Sequence, residues 1–490
     1  MPTFTPTAEQ DAIIHAAKST KDNLLVSALA GAAKTSTLVL LAEALPKVDI
    51  LCLAFNKKVA IEMQERLPAN CRAATLNGLG HSIWKDTIGA RLNLSFKKKF
   101  TILSNIIKEH PKDKQQALWK SFRALLKTFE EAKTSGYLPR KVIEDYQKKR
   151  PSPVVGEEFF STCEFKLTSV EMDIVDQCMY RSCQQAFAGT IDFDDQILMP
   201  AVFRSVMPIH ALVMVDEAQD LSTLNHRFLT KLARYRLIAV GDPCQAIYGF
   251  RGAHEKSMAE MKQSFKMKEL SLSTSFRCPE EIVKHVQWRA PHMTWWEGNP
   301  TSGSVEVLPE WDIGDIPDSA AVICRNNAPL FSLAVEFFKQ GRYANLLSND
   351  IVKTIVKNLK SLGPLRMPAS DCLIAIDQWH LDADRRSRAA KTNADIAECM
   401  RVFIRQSLLL EEAIILATNL AAYEGPVELM TVHKAKGMEY KHVFILDHHL
   451  IGDEGQEKNI KYVACTRSLD RLTYINSEDC LAWATEEGEE

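Results

Sequence analysis

The chain has 490 residues, 46% hydrophobic and 25% charged, the balance of an ordinary folded protein with chain enough for roughly three domains. Its formal net charge of −2 provides no global field for a polyanion, so any such site must be a local groove. Twelve scattered cysteines without a C-x-x-C pair argue against a zinc or iron–sulfur module, and the apolar neighbours of Cys52 and Cys324 suggest small buried hydrophobes in a reducing compartment. With no signal peptide, lipidation motif or apolar run of membrane-spanning length in view, a cytoplasmic protein without membrane contact is expected.

From the N-terminus, strand and helix patterns alternate: strand at Leu24–Val26, helix at Lys34–Leu45, strand at Asp49–Phe55, helix at Lys58–Leu67. That rhythm predicts a parallel sheet covered by helices. Between Leu92 and Ser182 the strand signal fades and charged amphipathic stretches such as Lys114–Lys133 take over, which reads as a helical insertion. Strands resume at Leu212–Val215 and Leu237–Val240. A second α/β unit opens near Cys278, with strands at Ser304–Leu308 and Ala321–Cys324. A second helical insertion follows between Leu346 and Gly425, before strands at Val427–Thr431, Val443–Leu446 and Leu472–Ile475. The tail Glu486–Glu490 is expected to fray. The predicted fold class is therefore α/β, two parallel-sheet domains each with a helical insertion. The first domain spans 1–90 and 184–276 around an insertion at 91–183; the second spans 277–345 and 426–480 around an insertion at 346–425, and 481–490 is an acidic tail. Three basic runs, Lys97–Lys99, Lys148–Arg150 and Arg385–Arg388, read as solvated helix faces rather than binding patches.

Two strand ends carry chemistry. Leu212-Val213-Met214-Val215 is a fully apolar strand that delivers Asp216 and Glu217 side by side. Two acids after a strand often just begin a solvated loop. They can also divide the labour of nucleotide hydrolysis, Asp216 helping to hold Mg²⁺ and Glu217 orienting and deprotonating the attacking water. The second reading gains weight from Asn23 to Ser36, a strand running into a small-residue turn, then Lys34-Thr35, then an apolar helix, the layout of a phosphate-binding loop. Its turn, Ala30-Gly31-Ala32-Ala33, would present backbone N–H groups to phosphate oxygens together with the N-terminus of the helix at Lys34, Thr35 and Ser36. Lys34 would contact the β- and γ-phosphates and Thr35 would ligate Mg²⁺. Ala28 and Ala33 stand where the strict pattern has glycines. If Ala33 must be left-handed, the strain is on the order of 1–2 kcal/mol.

Five further segments narrow the class: Thr5–Gln10, Gly241–Ala253, Ser275-Phe276-Arg277, Thr431–Tyr440 and Glu457–Arg467. Together and in this order the motifs resemble the superfamily 1 DNA helicases of the UvrD/Rep/PcrA kind, and more loosely the F-box helicase branch. The resemblance runs from residue 5 to about 475 outside the two insertions. It implies RecA-like domains with ATP and Mg²⁺ held between them, and it assigns roles residue by residue. Gln10 would read the adenine, Phe276 would stack on it and Glu439 would accept from the ribose hydroxyls; for Gln10 alone, a solvated helix residue is the plainer reading. Arg277 and Arg467 would be arginine fingers, with a buried ion pair as the alternative for either. Gln245 would sense the γ-phosphate.

The DNA side rests on aromatics and amides. Tyr248 and Phe250 sit two apart after what reads as the Gln245 strand, so in extended backbone they face the same way, with Arg251 next in the chain. Stacking of bases on such rings is worth about 1–3 kcal/mol each and ignores sequence. Phe55 and Asn56, then Thr75, Asn77 and His81, and finally His433 resemble further strand-contacting positions. For any one aromatic taken alone, burial in the core is the better expectation. Asp192-Phe193-Asp194-Asp195 also resembles the family, without an assigned role.

The expected function is an ATP-dependent single-stranded DNA translocase and DNA helicase. The 3′-to-5′ polarity is implied only by the resemblance of the Tyr248–Phe250 segment. Two rivals are an ATP-binding DNA clamp that does not cycle, resting on Ala33 alone, and the motor subunit of a helicase–nuclease or defence complex. Expected partners are single-stranded DNA and junctions of single- and double-stranded DNA, with a replication, repair or nuclease protein as a further candidate. Family members carry a large mobile domain at the second insertion; here it has about 80 residues, near the lower limit for an autonomous domain, so a monomer with little self-inhibition is expected.

Overall fold

The computed structural model describes residues 6–147, 156–249, 257–347, 349–420 and 422–481. Phe250, Arg251, Lys148–Arg150 and Glu486–Glu490 lie outside the described residues. Contacts divide the chain into two compact units, Met1–Ala28 with Ala33–Leu272, and Leu29–Ala32 with Ser273–Glu490.

The first unit holds a six-stranded, all-parallel sheet in the order Cys71–Thr75, Ile50–Ala54, Leu212–Val215, Leu237–Gly241, Leu24–Ala28, Lys268–Leu272. Its inner strands are apolar runs because helices cover both faces of such a sheet. All four residues of Leu212–Val215 are buried, each aliphatic side chain stabilising by roughly 1.5–3 kcal/mol. The outermost strands are less covered, with Arg72 exposed on Cys71–Thr75 and Lys268, Glu269 and Ser271 exposed on Lys268–Leu272. Charge at a sheet edge blunts pairing with other chains, and it also hides the strand from a reading based on apolar runs.

The first insertion is helical, with helices at Lys98–Glu109, Lys112–Lys120, Phe122–Ser135 and Ser169–Phe187. The stretch Lys114–Lys133 falls on two of these helices, which meet at Ser121. A short parallel ladder of Asn93–Leu94 with Thr190–Ile191 closes the insertion at its base. Leu103, Ile107, Phe129 and Cys178 of the insertion share one apolar cluster with Leu51, Val213 and Val215 of the sheet, so insertion and sheet have a common core.

The second unit repeats the architecture. Its sheet, also six-stranded and parallel, runs Ser304–Val307, Ser468–Ile475, Tyr440–Leu446, Ala321–Cys324, Val427–Thr431, Ala344–Leu346. Helices Asn349–Leu359, Ala369–Arg386, Ala390–Arg405 and Leu410–Leu420 form its insertion. Ile355, Ile376, Met400 and Phe403 lie in the same buried cluster as Phe331, Val427 and Phe444. The fold is thus α/β with two RecA-like parallel sheets. All twelve cysteines are buried and free. No described helix is long and apolar enough to cross a membrane.

Candidate functional site

In the first unit the site forms at the C-terminal ends of the Leu24–Ala28, Leu212–Val215 and Leu237–Gly241 strands, where α/β sheets hold their ligands. Ala33 is left-handed (φ 54°, ψ 42°) and opens the Lys34–Ala44 helix. Ala33 therefore carries left-handed strain, which glycine would relieve, partly offset by the greater conformational entropy that glycine gives the unfolded chain. Ala33→Gly is expected to raise stability by up to about 1 kcal/mol and to keep or raise turnover. Denaturant melts and an ATPase assay check this; a large loss of activity would mean that the loop uses a backbone path glycine does not hold.

Thr35 donates its hydroxyl to the Asp216 carboxylate at 2.8 Å, and Lys34 Nζ lies 3.6 Å from Glu217 Oε1. A hydroxyl and a carboxylate so joined are hard oxygen donors, the set that fits Mg²⁺ completed by waters and phosphate oxygens. Burial and the neighbouring Glu217 push the Asp216 carboxyl up to about 6, with Lys34 and Thr35 opposing them. A dication there would remove that penalty. Glu217 is itself left-handed at φ 53°, a conformation costing about 1–2 kcal/mol in a residue with a Cβ. Such strain is kept where the surroundings impose it.

The structure adds two residues that the sequence reading did not single out. Gln219 donates its side-chain amide to Glu217 Oε2 at 2.5 Å, and its carbonyl oxygen accepts the Asp242 backbone N–H at 2.9 Å. Asp242 in turn accepts from the Gln245 side chain at 2.7 Å. Burial raises the Asp242 carboxyl, with Lys34 and Gln245 working the other way. Gly241 is needed beside this chain, since a Cβ there would meet Gln219 Oε1 at 2.6 Å. The segment Gly241–Ala253 was the available signal for Asp242; for Gln219 there was only its position two residues after Glu217.

Gln245 does not end a strand. The strand stops at Gly241, and Pro243–Gln245 is a turn of 3₁₀ helix that Pro243 opens. Proline has no N–H to donate to a ladder and favours a helical first turn. Tyr248 follows in irregular chain, its ring stacked on Phe55 with centroids 6.4 Å apart and planes 5° from parallel. Phe55 is 46% exposed, so the core burial that a lone aromatic would favour does not describe it. Asn56 and Thr75 each cap a helix, accepting from the Val59 and Gly78 backbone N–H groups. Asn77 donates to the Phe193 carbonyl (3.0 Å) and to Gln196 Oε1 (3.2 Å), and His81 Nδ1 lies 3.3 Å from Gln196 Nε2. Gly80 permits this approach, because a Cβ on it would meet the Gln196 carbonyl at 2.0 Å.

Gln10 is not solvated; it is 1% exposed. Its side-chain oxygen accepts the Thr7 N–H in a capping box, and its amide donates to Thr37 at 3.0 Å. Ser36 accepts from Arg66 at 3.0 Å. Of the basic runs, Lys97–Lys99 is not a solvated face: Lys98 is buried against Asp195 and Lys99 is paired with Asp194 and Glu130. Arg385, Arg386 and Arg388 are exposed.

In the second unit, the turn Leu29–Ala32 is held by Phe276, whose N–H donates to the Gly31 carbonyl, and by Tyr462, whose hydroxyl accepts the Ala30 N–H, both at 3.0 Å. Ala32 N–H closes the turn on Leu29. Gly31, at φ +73°, leaves no room for a Cβ, which would lie 2.5 Å from the Cβ of Arg277. Phe276 is half-buried, tilted against Trp296 at 5.9 Å. Arg277 forms an ion pair with Glu439. Arg467 is 1% exposed and donates to the Val463 and Met438 carbonyls and the Thr466 hydroxyl, none of them a carboxylate. Burial and then Arg277 pull its pKa down to about 10, so it stays charged at neutral pH. His433 is half-buried on the short helix Val432–Ala435.

A lysine–threonine loop opening a helix, with paired acids at the end of a nearby parallel strand, defines the P-loop class of α/β proteins. The model of the UvrD/REP helicase N-terminal domain matches residues 7–266, and that of the UvrD-like helicase C-terminal domain matches residues 387–479. The chain belongs to the UvrD/REP helicase family. It is similar to F-box DNA helicase protein 1 of Schizosaccharomyces pombe, 23% identical over 95% of this chain and 57% of the relative. DNA helicase II of Rickettsia typhi is 28% identical over 51% of this chain and 39% of its own length. ATP-dependent DNA helicase PcrA of Leuconostoc citreum is 25% identical over 58% and 40%. The chain thus spans 39% to 57% of the length of these relatives.

Proposed function

We propose that the chain is an ATP-dependent DNA helicase that translocates 3′ to 5′ on single strands, acting as a monomer. Lys34 and the loop around it hold the phosphates, while Thr35 and Asp216 hold Mg²⁺, which supplies charge neutralisation on the phosphates when bound. Glu217 orients the attacking water and takes its proton. Phe276 and Gln10 face the base, and Glu439 faces the ribose. Gln10 must then release Thr37, and Glu439 must release Arg277, when nucleotide enters. Arg277 and Arg467 bring positive charge to the γ-phosphate, where guanidinium groups stabilise charge developing during transfer.

The observation that carries the reading is the unbroken polar path from Glu217 through Gln219 and Asp242 to Gln245. Tyr248 lies three residues beyond its end, stacked on the exposed Phe55. That path supports a mechanical link between the hydrolytic carboxylate and rings fit to stack bases. Phe250, Arg251 and His433 complete the proposed strand contacts, with Asn56, Thr75, Asn77 and His81. A membrane role is not part of this reading, and a cytoplasmic setting suits it; a replication, repair or nuclease protein as partner remains a proposal that co-purification would test.

Turnover should be slow alone and rise at least about tenfold with single-stranded DNA, as expected where strand binding completes the catalytic arrangement. Steady-state ATPase measurements with and without a thymidine oligonucleotide test this. DNA binding without turnover would instead favour the non-cycling clamp. Duplexes with 3′ or 5′ single-stranded tails test polarity, and unwinding loaded only from a 5′ tail would overturn it.

A further inference from the structure

Asp192, Asp194 and Asp195 each meet a lysine of the first insertion. Lys133 Nζ lies 2.5 Å from Asp192 Oδ2 and 2.7 Å from Asp195 Oδ1. Lys98 Nζ lies 2.7 Å from Asp195 Oδ2 and also donates to the Ser182 carbonyl at 2.8 Å. Lys99 Nζ is 2.7 Å from Asp194. The Lys98, Lys133 and Asp195 side chains are 0% exposed and Asp192 is 3% exposed, so two ammonium and two carboxylate groups balance in the interior. Burial opposes the charge on Asp195, yet Lys133 and Lys98 overcome it and hold its carboxyl down to about 2. The two buried acids also accept each other's backbone N–H, Asp192 N to Asp195 Oδ2 at 2.9 Å and Asp195 N to Asp192 Oδ1 at 3.0 Å, which locks the turn between them.

Buried ion pairs of this kind are poor sources of stability, because desolvation offsets most of the attraction; their better-attested use is to fix one geometry. The geometry fixed here is functional on the reading above. The locked turn carries the Phe193 carbonyl and Gln196, the two groups that hold Asn77, and Gln196 also contacts His81. The lysines come from helices Lys98–Glu109 and Phe122–Ser135, while Asn77 and His81 sit on Leu76–Ile88, so the acid turn is the joint between insertion and strand-contact face.

We propose that Lys133, Lys98 and Lys99 are positioning residues that let the first insertion set the single-strand contacts of Asn77 and His81. The proposal rests on the assignment of those two residues to DNA, and its test separates the two claims. The probe is a thymidine oligonucleotide, and the readout is the concentration that half-saturates ATPase stimulation, set against the rate at saturating DNA. Lys133→Met should raise the half-saturating concentration by about tenfold, equivalent to about 1.4 kcal/mol, while the saturated rate stays within about twofold, as expected for lost binding without lost chemistry. A purely structural role would lower the saturated rate through loss of folded enzyme and leave half-saturation alone.

Lys133→Met strands a buried carboxylate, so Lys99→Ala, at the partly exposed end of the set, gives a second arm that keeps the core intact; about a threefold rise is expected, some 0.7 kcal/mol. Unmoved half-saturation in Lys99→Ala and in folded Lys133→Met overturns the proposal. If Asn77→Ala raises half-saturation in the same assay, only the positioning link has failed. If Asn77→Ala is silent too, the strand-contact assignment falls, and the link falls with it.

Discussion

Glu217→Gln should bind ATP and fail to hydrolyse it. The substitution keeps the shape of the side chain and removes the one property hydrolysis needs from it, a site to receive the proton of the attacking water. General-base assistance contributes about 10²- to 10⁴-fold, and a loss of that size in the DNA-stimulated rate is expected. The surroundings should tolerate the change. Gln219 donates to Glu217 at 2.5 Å, and an amide oxygen can accept that bond as a carboxylate oxygen does. The left-handed backbone at Glu217 is imposed by the turn from the Leu212–Val215 strand into Ala218–Asp220 and is as available to glutamine as to glutamate. Calorimetric titration with ATP should show affinity within a few-fold of the parent, because the Lys34 and Thr35 contacts remain. Undiminished turnover would move the base to another residue.

Lys34→Ala should fail at both steps. Its ammonium group is the cation beside Glu217, at 3.6 Å, and the one that opposes the burial of Asp216 and Asp242. Without it the phosphates lose a charge-assisted hydrogen bond worth about 1.5–3 kcal/mol, so ATP affinity should fall on the order of tenfold to a hundredfold. The rate should fall by at least about 10²-fold, the usual effect of deleting one donor aimed at developing charge. The contrast with Glu217→Gln is the informative part: one variant binds without turning over, the other does neither. The double variant should be little slower than the worse single variant, since groups acting in one step are not additive. Steady-state rates and titrations on the three variants check the set. Rates that multiplied instead would mean that Lys34 and Glu217 serve separate steps.

The sequence by itself determined the alternation of strand and helix, hence two parallel sheets, because apolar strands buried on both faces announce themselves locally. It also determined the residues at two strand ends, Lys34-Thr35 and Asp216-Glu217, because strand, turn and helix are contiguous there. The left-handed strain at Ala33 was legible as a condition, since the loop pattern wants glycine at that position. Edge strands escaped it: Cys71–Thr75 and Lys268–Leu272 are interrupted by Arg72 and by Lys268 and Glu269, so neither offers a continuous apolar run. The fold of the Gln245 segment escaped it as well, because strand periodicity says nothing of where a proline will turn the chain.

Tertiary structure alone decided which polar groups meet. Lys133 finds Asp192 59 residues away and Lys98 finds Asp195 97 residues away, so Lys98, in a basic run that looks solvated in sequence, is part of the interior. Gln219 reaches the Asp242 backbone 23 residues on, and Gln10 reaches Thr37 across 27. A charged or amide side chain is buried only where a partner removes the cost of desolvation. That partner is set by how helices and strands pack, and no local pattern along the chain carries it.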